Sequence, residues 1–150
     1  MILGNNCNRK RIKEQVMKKV LIGVGVMSSL LLGAPIDDYM KTLETEAKAA
    51  DASFAGFDAK RGEVIFFSKH VGKRGKEISC ASCHTNDLSK AGENVFTGKK
   101  IDALSPKANK ERLTDIKNVQ KWLRRNFNDV YVREGSAQEK GDVLAYIRSY

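Results

Sequence analysis

Cys80-Ala81-Ser82-Cys83-His84 constrains this 150-residue chain more than any other stretch. Two thiols three residues apart, followed at once by histidine, have the spacing of covalent haem attachment. On one turn both sulfurs reach the vinyl groups from the same side of a porphyrin, and the histidine is directed at the iron from that face. Two other chemistries use Cys-x-x-Cys. A closed structural zinc site needs four protein ligands, and with Cys7 in the N-terminal segment expected to be removed, only His70 remains as a further soft donor. A redox dithiol normally opens a helix after a buried strand, whereas the polar, glycine-bearing segment 72–78 precedes this motif. The motif reads as one haem c, bonded to Cys80 and Cys83, with His84 as proximal axial ligand.

The formal charge of +9 suggests nucleic acid at first sight, but it is unevenly spread. Residues 1–33 hold six of the 27 bases and one of the 18 acids, so residues 34–150 carry 21 and 17, a balance of +4. Two haem propionates bring that to about +2, too little for a nucleic-acid-binding face. The basic start has another reading. Lys18-Lys19 precede the apolar run 20–32, which gives way to Gly33-Ala34-Pro35. Charged start, short apolar stretch and small residues are the parts of a secretory signal peptide, and the run is short for a permanent membrane anchor. The expectation is an N-terminal extension and cleavable signal over 1–33, with Met17 as an alternative start. A domain over 34–150 follows, in the periplasm. Haem attachment outside the cytoplasm agrees with export. Cys7 falls in the removed segment, leaving Cys80 and Cys83.

Helical periodicity recurs along the domain. Ile36, Met40, Leu43 and Ala47 form one stripe. Asp58 is placed to cap a second helix, with Gly62 and Phe66 on one face. Thr114 is placed to cap a third, whose stripe holds Ile116, Val119, Trp122, Leu123 and Asn126. Ser136 and Glu139 make a capping box before Val143, Tyr146, Ile147 and Tyr150. Regions 68–80 and 85–112 read as long hydrophilic loops. Roughly 115 residues of small helices and long loops make a meagre core, and a buried macrocycle supplies the missing apolar centre.

The sixth ligand is less direct. All four methionines (1, 17, 27 and 40) precede the motif, and no histidine follows His84. The usual downstream methionine is therefore missing, leaving Met40 or His70 only from the N-terminal side; His70 reads as a surface loop residue. Asn126 puts an amide on a stripe with Val119, Trp122 and Leu123. It reads either as a helix C-terminal cap or as a group facing the iron. Trp122 reads as core beside the haem edge or as an electron-transfer residue. Lys99 reads as a propionate partner or a solvated loop lysine. Lys69, Lys73, Arg74 and Lys76 read as a basic rim that steers an acidic partner or as a merely soluble loop.

The chain resembles the sphaeroides haem protein family of oxygen-binding class I cytochromes c. The resemblance rests on 61–66, on Cys80–His84, on Lys90-Ala91-Gly92, Thr97-Gly98-Lys99 and Leu104-Ser105-Pro106, on 112–115, and above all on Lys121-Trp122-Leu123-Arg124-Arg125-Asn126 and 139–147. It implies an all-α class I cytochrome c fold, with small helices and long loops wrapped around one covalently attached haem. It makes Asn126 the distal ligand of ferric iron, released on reduction so that oxygen, nitric oxide or carbon monoxide binds. The best-known member has cysteines where this chain has Phe127 and Gly135, a tie for the distal loop that is missing here.

The expected function is periplasmic electron transfer with a redox-gated, diatomic-binding site. Expected redox partners are a membrane cytochrome b or a multi-haem cytochrome c, and a monomer suffices. The alternative is a low-spin shuttle with a permanent sixth ligand. An enzyme, a peroxidase or a nitric oxide-consuming activity, is a third reading. The chain offers no distal histidine for acid–base work, and its enzyme status stays open.

Overall fold

The computed structural model describes residues 35–150. The expected export segment, with Met17 and Cys7, lies outside them. Helix α1 is Pro35–Ala50. Proline sits at its first position, where no N–H is needed, and Asp37 and Asp38 face the positive end of the helix. Ile36, Leu43 and Ala47 are buried, and Met40 packs partly buried against the core.

Helix α2 is Ala59–Phe67, and the Asp58 carboxylate accepts the Arg61 backbone N–H at 2.7 Å as expected. Helix α3, Ala81–His84, is the haem motif. Helix α4 is Ile116–Tyr131. Its cap is Asp115 rather than Thr114: Asp115 accepts the Asn118 N–H at 3.1 Å, while the Thr114 hydroxyl donates to the Glu111 carbonyl at 2.8 Å. Two capping residue types stand side by side, and the anionic one takes the position against the helix dipole. Helix α5, Ala137–Ser149, opens with the expected Ser136–Glu139 capping box.

The connecting regions contain two small antiparallel ribbons where the sequence reads as loop. β1 (His70–Val71) pairs with β2 (Glu77–Ile78), His70 opposite Ile78. β3 (Gly92–Glu93) pairs with β4 (Lys100–Ile101), Gly92 opposite Ile101. Both reverse through tight turns. Gly75 takes a φ of +71° in the first, and the Asn94 side chain accepts the Phe96 and Thr97 N–H groups in the second.

The centre of the fold is the crossing of α2 and α5. A Cβ at Gly62 would overlap the Asp142 carbonyl, so glycine alone allows this approach. Phe66 is then buried against Tyr146, ring centroids 5.5 Å apart. Asp142, 1% exposed, is held at the same crossing. It accepts from Arg61 Nε at 2.8 Å, Arg61 Nη2 at 2.9 Å and the Asp58 N–H at 2.7 Å. A buried carboxylate needs such partners. The Arg61 guanidinium, itself half exposed, also donates to the Gly56 carbonyl at 2.7 Å. Among the described residues no helix is long and apolar enough to cross a membrane.

Candidate haem-binding site

The chain enters the motif from β2, through buried Ile78 and Ser79. Ser79 donates its N–H to the Ser82 hydroxyl at 2.9 Å, which starts the turn. The Cys83 and His84 N–H groups then both donate to the Cys80 carbonyl, at 3.2 and 3.1 Å. Thr85 closes the turn on the Ala81 carbonyl at 2.9 Å and leaves the helix at φ 64°. Cys80, Cys83 and His84 stand three and four positions apart, so the turn puts both sulfurs and the imidazole on one side. Gly92 lies so close behind that a Cβ there would overlap the Cys83 carbonyl.

Both cysteines are free thiols and partly buried. Burial, with Cys83 adding to it, pushes the Cys80 thiol up to about 12. A redox dithiol needs a depressed thiol, so this environment argues against disulfide chemistry. Burial pushes His84 down to about 4, and the Arg112 charge adds to the shift. The imidazole is therefore neutral at physiological pH, the form that binds a metal. Arg112 is held by the loop it belongs to, donating to the Ala103 carbonyl at 2.7 Å and the Asp102 carbonyl at 2.6 Å. The Phe66 ring lies 6.2 Å from that of His84.

His84 Nδ1 is buried and has no hydrogen-bond partner among the described residues. Buried polar atoms are almost always partnered. Such an imidazole beside two free cysteines fits a group that bonds to both sulfurs and to the ring. Among the described residues no cluster of three or more His, Cys, Asp or Glu could hold a metal ion by itself. The donor set thus suits an iron that brings its own macrocycle.

Asn126 does not end its helix. α4 runs on to Tyr131 and closes at Val132, which takes the left-handed conformation at φ 56°. The C-terminal-cap reading of Asn126 is thereby removed. Leu123, Phe127 and Val130 are the buried face of α4. Asn126 is half-buried on the flank of that face, with Val119 above it. Trp122 stands further round and is 49% exposed, between Lys121 Nζ and Arg125 Cζ, each 5.3 Å from its ring. The helical period gives the position packed against protein to Leu123 and sets Trp122 on the same flank of α4 as Asn126. Lys99 is exposed on the β3–β4 turn, and His70 is exposed with its ring 4.3 Å from Tyr131.

Phe127 and Gly135 are packed together. Phe127 is 4% exposed, and a Cβ on Gly135 would lie 2.8 Å from three of its ring carbons. The α4–α5 loop is further held by ion pairs from Arg133 to Glu139 and from Lys140 to Glu134. The Tyr131 hydroxyl donates to the Ile65 carbonyl at 2.6 Å, joining α4 to α2. None of these pairs shares a period or motif that single-sequence reading could have joined.

Residues 52–147 match the family described as a domain of unknown function, DUF1924. The cytochrome c-type protein SHP of Cereibacter sphaeroides is 36% identical over 122 residues, covering 81% of this chain and 94% of that protein. Cytochrome c'' of Methylophilus methylotrophus is 31% identical over 134 residues, covering 87% of this chain and 93% of that one. The structure of oxidised SHP, an oxygen-binding cytochrome c, superposes with a TM-score of 0.67 over 77% of this chain and 96% of its own. The solution structure of cytochrome c'', bearing on haem-ligand detachment, does so at 0.68 over 77% and 93%. The chain therefore belongs to the SHP and cytochrome c'' family, c-type cytochromes of helical fold that carry covalently attached haem c.

Proposed function

We propose that this protein is a periplasmic mono-haem cytochrome that transfers electrons and has a redox-gated distal site for oxygen, nitric oxide or carbon monoxide. The thiols of Cys80 and Cys83 add across the two vinyl groups, and His84 supplies the proximal nitrogen. Haem supplies the one-electron couple and, once reduced, affinity for diatomic ligands. Asn126 is the distal ligand in the oxidised state.

The observation that carries this reading is the place of Asn126 inside α4. An amide in mid-helix, on the flank of the buried face, does no capping work there. It is a hard, neutral, weak donor that suits ferric better than ferrous iron, so reduction releases it. Oxygen binding by SHP and ligand detachment in cytochrome c'' support the same behaviour here. After release the amide N–H remains available to donate to a bound ligand, a contact worth roughly 0.5–1.5 kcal/mol net.

Asn126→Ala tests the assignment. The ferric spectrum should shift to a five-coordinate or water-ligated form, and the cyanide on-rate should rise. A variant with the wild-type ferric spectrum and wild-type cyanide kinetics rules Asn126 out as ligand.

A further inference from the structure

The β1–β2 hairpin carries Lys69, Lys73, Arg74 and Lys76 within residues 69–76, all exposed, with Val71 69% exposed among them. Glu77 is the one acid that follows them before the haem motif. Such a patch is short, strongly cationic and has a small apolar spot, the pattern that recognises an acidic protein surface. It is a hairpin and not an amphipathic helix with a broad apolar face, the form that inserts into a lipid surface.

Its attachment gives the patch further significance. On one side the hairpin runs without a break through Ile78 and Ser79 into Cys80. On the other it is fastened to the last turns of α4. The Lys73 N–H donates to the Asp129 carbonyl at 2.9 Å, and Lys73 Nζ donates to Asn128 Oδ1 at 3.2 Å. Asp129 is three residues, just under a turn, beyond Asn126. The Arg74 guanidinium lies 4.5 Å from the Phe96 ring centroid, which ties the hairpin tip to the segment after the motif. One surface element thus touches the segment of the proximal ligand and the helix of the distal candidate.

We infer that the exposed face of residues 69–77 is the docking site for an acidic electron-transfer protein, and that its bonds to Asn128 and Asp129 pass the docking on to Asn126. The second half rests on the distal-ligand reading above; the first does not. One electron leaves the reduced partner and one ferric haem becomes ferrous, with no proton or group transferred.

Reduced flavodoxin, an acidic redox protein, serves as probe with the matured holoprotein. Its rate of reducing wild type should fall about tenfold between about 10 mM and 0.3 M salt. Lys69→Glu combined with Lys76→Glu should lower the low-salt rate by a similar factor. Reduction by dithionite, together with the melting temperature, should stay near wild type and report an intact fold. Equal flavodoxin rates for wild type and variant, or rates indifferent to salt, overturn the docking site. So does binding of phosphatidylglycerol vesicles through the same two lysines in preference to flavodoxin.

The coupling is read with poly-L-glutamate, a redox-inert acidic probe. When saturating, it should change the cyanide on-rate of ferric wild type about threefold or more, and should leave Asn126→Ala unaffected. Binding without any change in that rate overturns the coupling. If Asn126→Ala keeps a wild-type ferric spectrum while flavodoxin still requires the lysines, the ligand reading has failed and the docking site stands.

Discussion

Gly135→Ala probes the contact that holds the chain just after the candidate distal ligand. The new Cβ would lie 2.8 Å from Phe127 Cδ1, Cδ2 and Cε2. Carbon atoms rest about 3.5–4.0 Å apart, so the ring must retreat by roughly 0.7 Å or more. It has little room, being 4% exposed with the Tyr131 ring centroid 5.4 Å away. Overpacking of this kind costs about 1–3 kcal/mol, and stiffening the unfolded chain at a former glycine offsets roughly 0.4–1 kcal/mol. The net loss is about 1–2 kcal/mol, a fall in melting temperature of about 3–10 °C for a domain of this size. Since Phe127 follows Asn126 directly, the shift should also change the cyanide on-rate of the ferric protein. Thermal melts of the holoprotein and stopped-flow cyanide binding supply both readouts. A melting temperature within about 1 °C of wild type, with unchanged cyanide kinetics, would refute the idea that Phe127 against Gly135 fixes this part of α4.

Asp142→Asn should destabilise the fold by about 2–4 kcal/mol, read by denaturant unfolding, because it weakens a buried site that receives three donated hydrogen bonds. A loss under about 0.5 kcal/mol would show that the half-exposed Arg61 is already satisfied by water. Glu139 is held below the usual carboxylate range, first by its hydrogen bonds with Arg133. A carboxylate with a depressed folded pKa stabilises above its unfolded value and loses that contribution as pH falls through the folded one. Glu139→Gln keeps the capping box and removes the charge. Its deficit against wild type, below about 1 kcal/mol after solvent screening, should be present at neutral pH and vanish as the solution is acidified past the carboxylate range. A deficit independent of pH would place the effect in packing.

Much of the architecture is written locally. The haem motif, the Asp58 cap, the Ser136–Glu139 box and the stripe Ile36–Leu43–Ala47 each depend on residues within about three turns of one another, which local pattern captures. Gly62 is legible because glycine amid an apolar helical stripe signals close approach, and it meets α5. The failures are of two kinds. Two-residue strands such as His70–Val71 are too short to alternate, so their loops hide them. Contacts between distant segments leave no local trace: Arg61 with Asp142, Phe127 with Gly135, Lys73 with Asp129. The assignments at α4 turn on length. Extension of the helix to Tyr131 takes Asn126 away from the cap position, and the register that buries Leu123 exposes Trp122.

The central claim is that the distal position is occupied in the oxidised protein and opens on reduction. Visible spectra of the matured holoprotein, ferric and then ferrous, before and after carbon monoxide, test it most directly. The account predicts a high-spin ferrous spectrum that shifts at once when carbon monoxide is added. Sharp low-spin ferrous bands indifferent to the gas would mean a permanent sixth ligand and would contradict it.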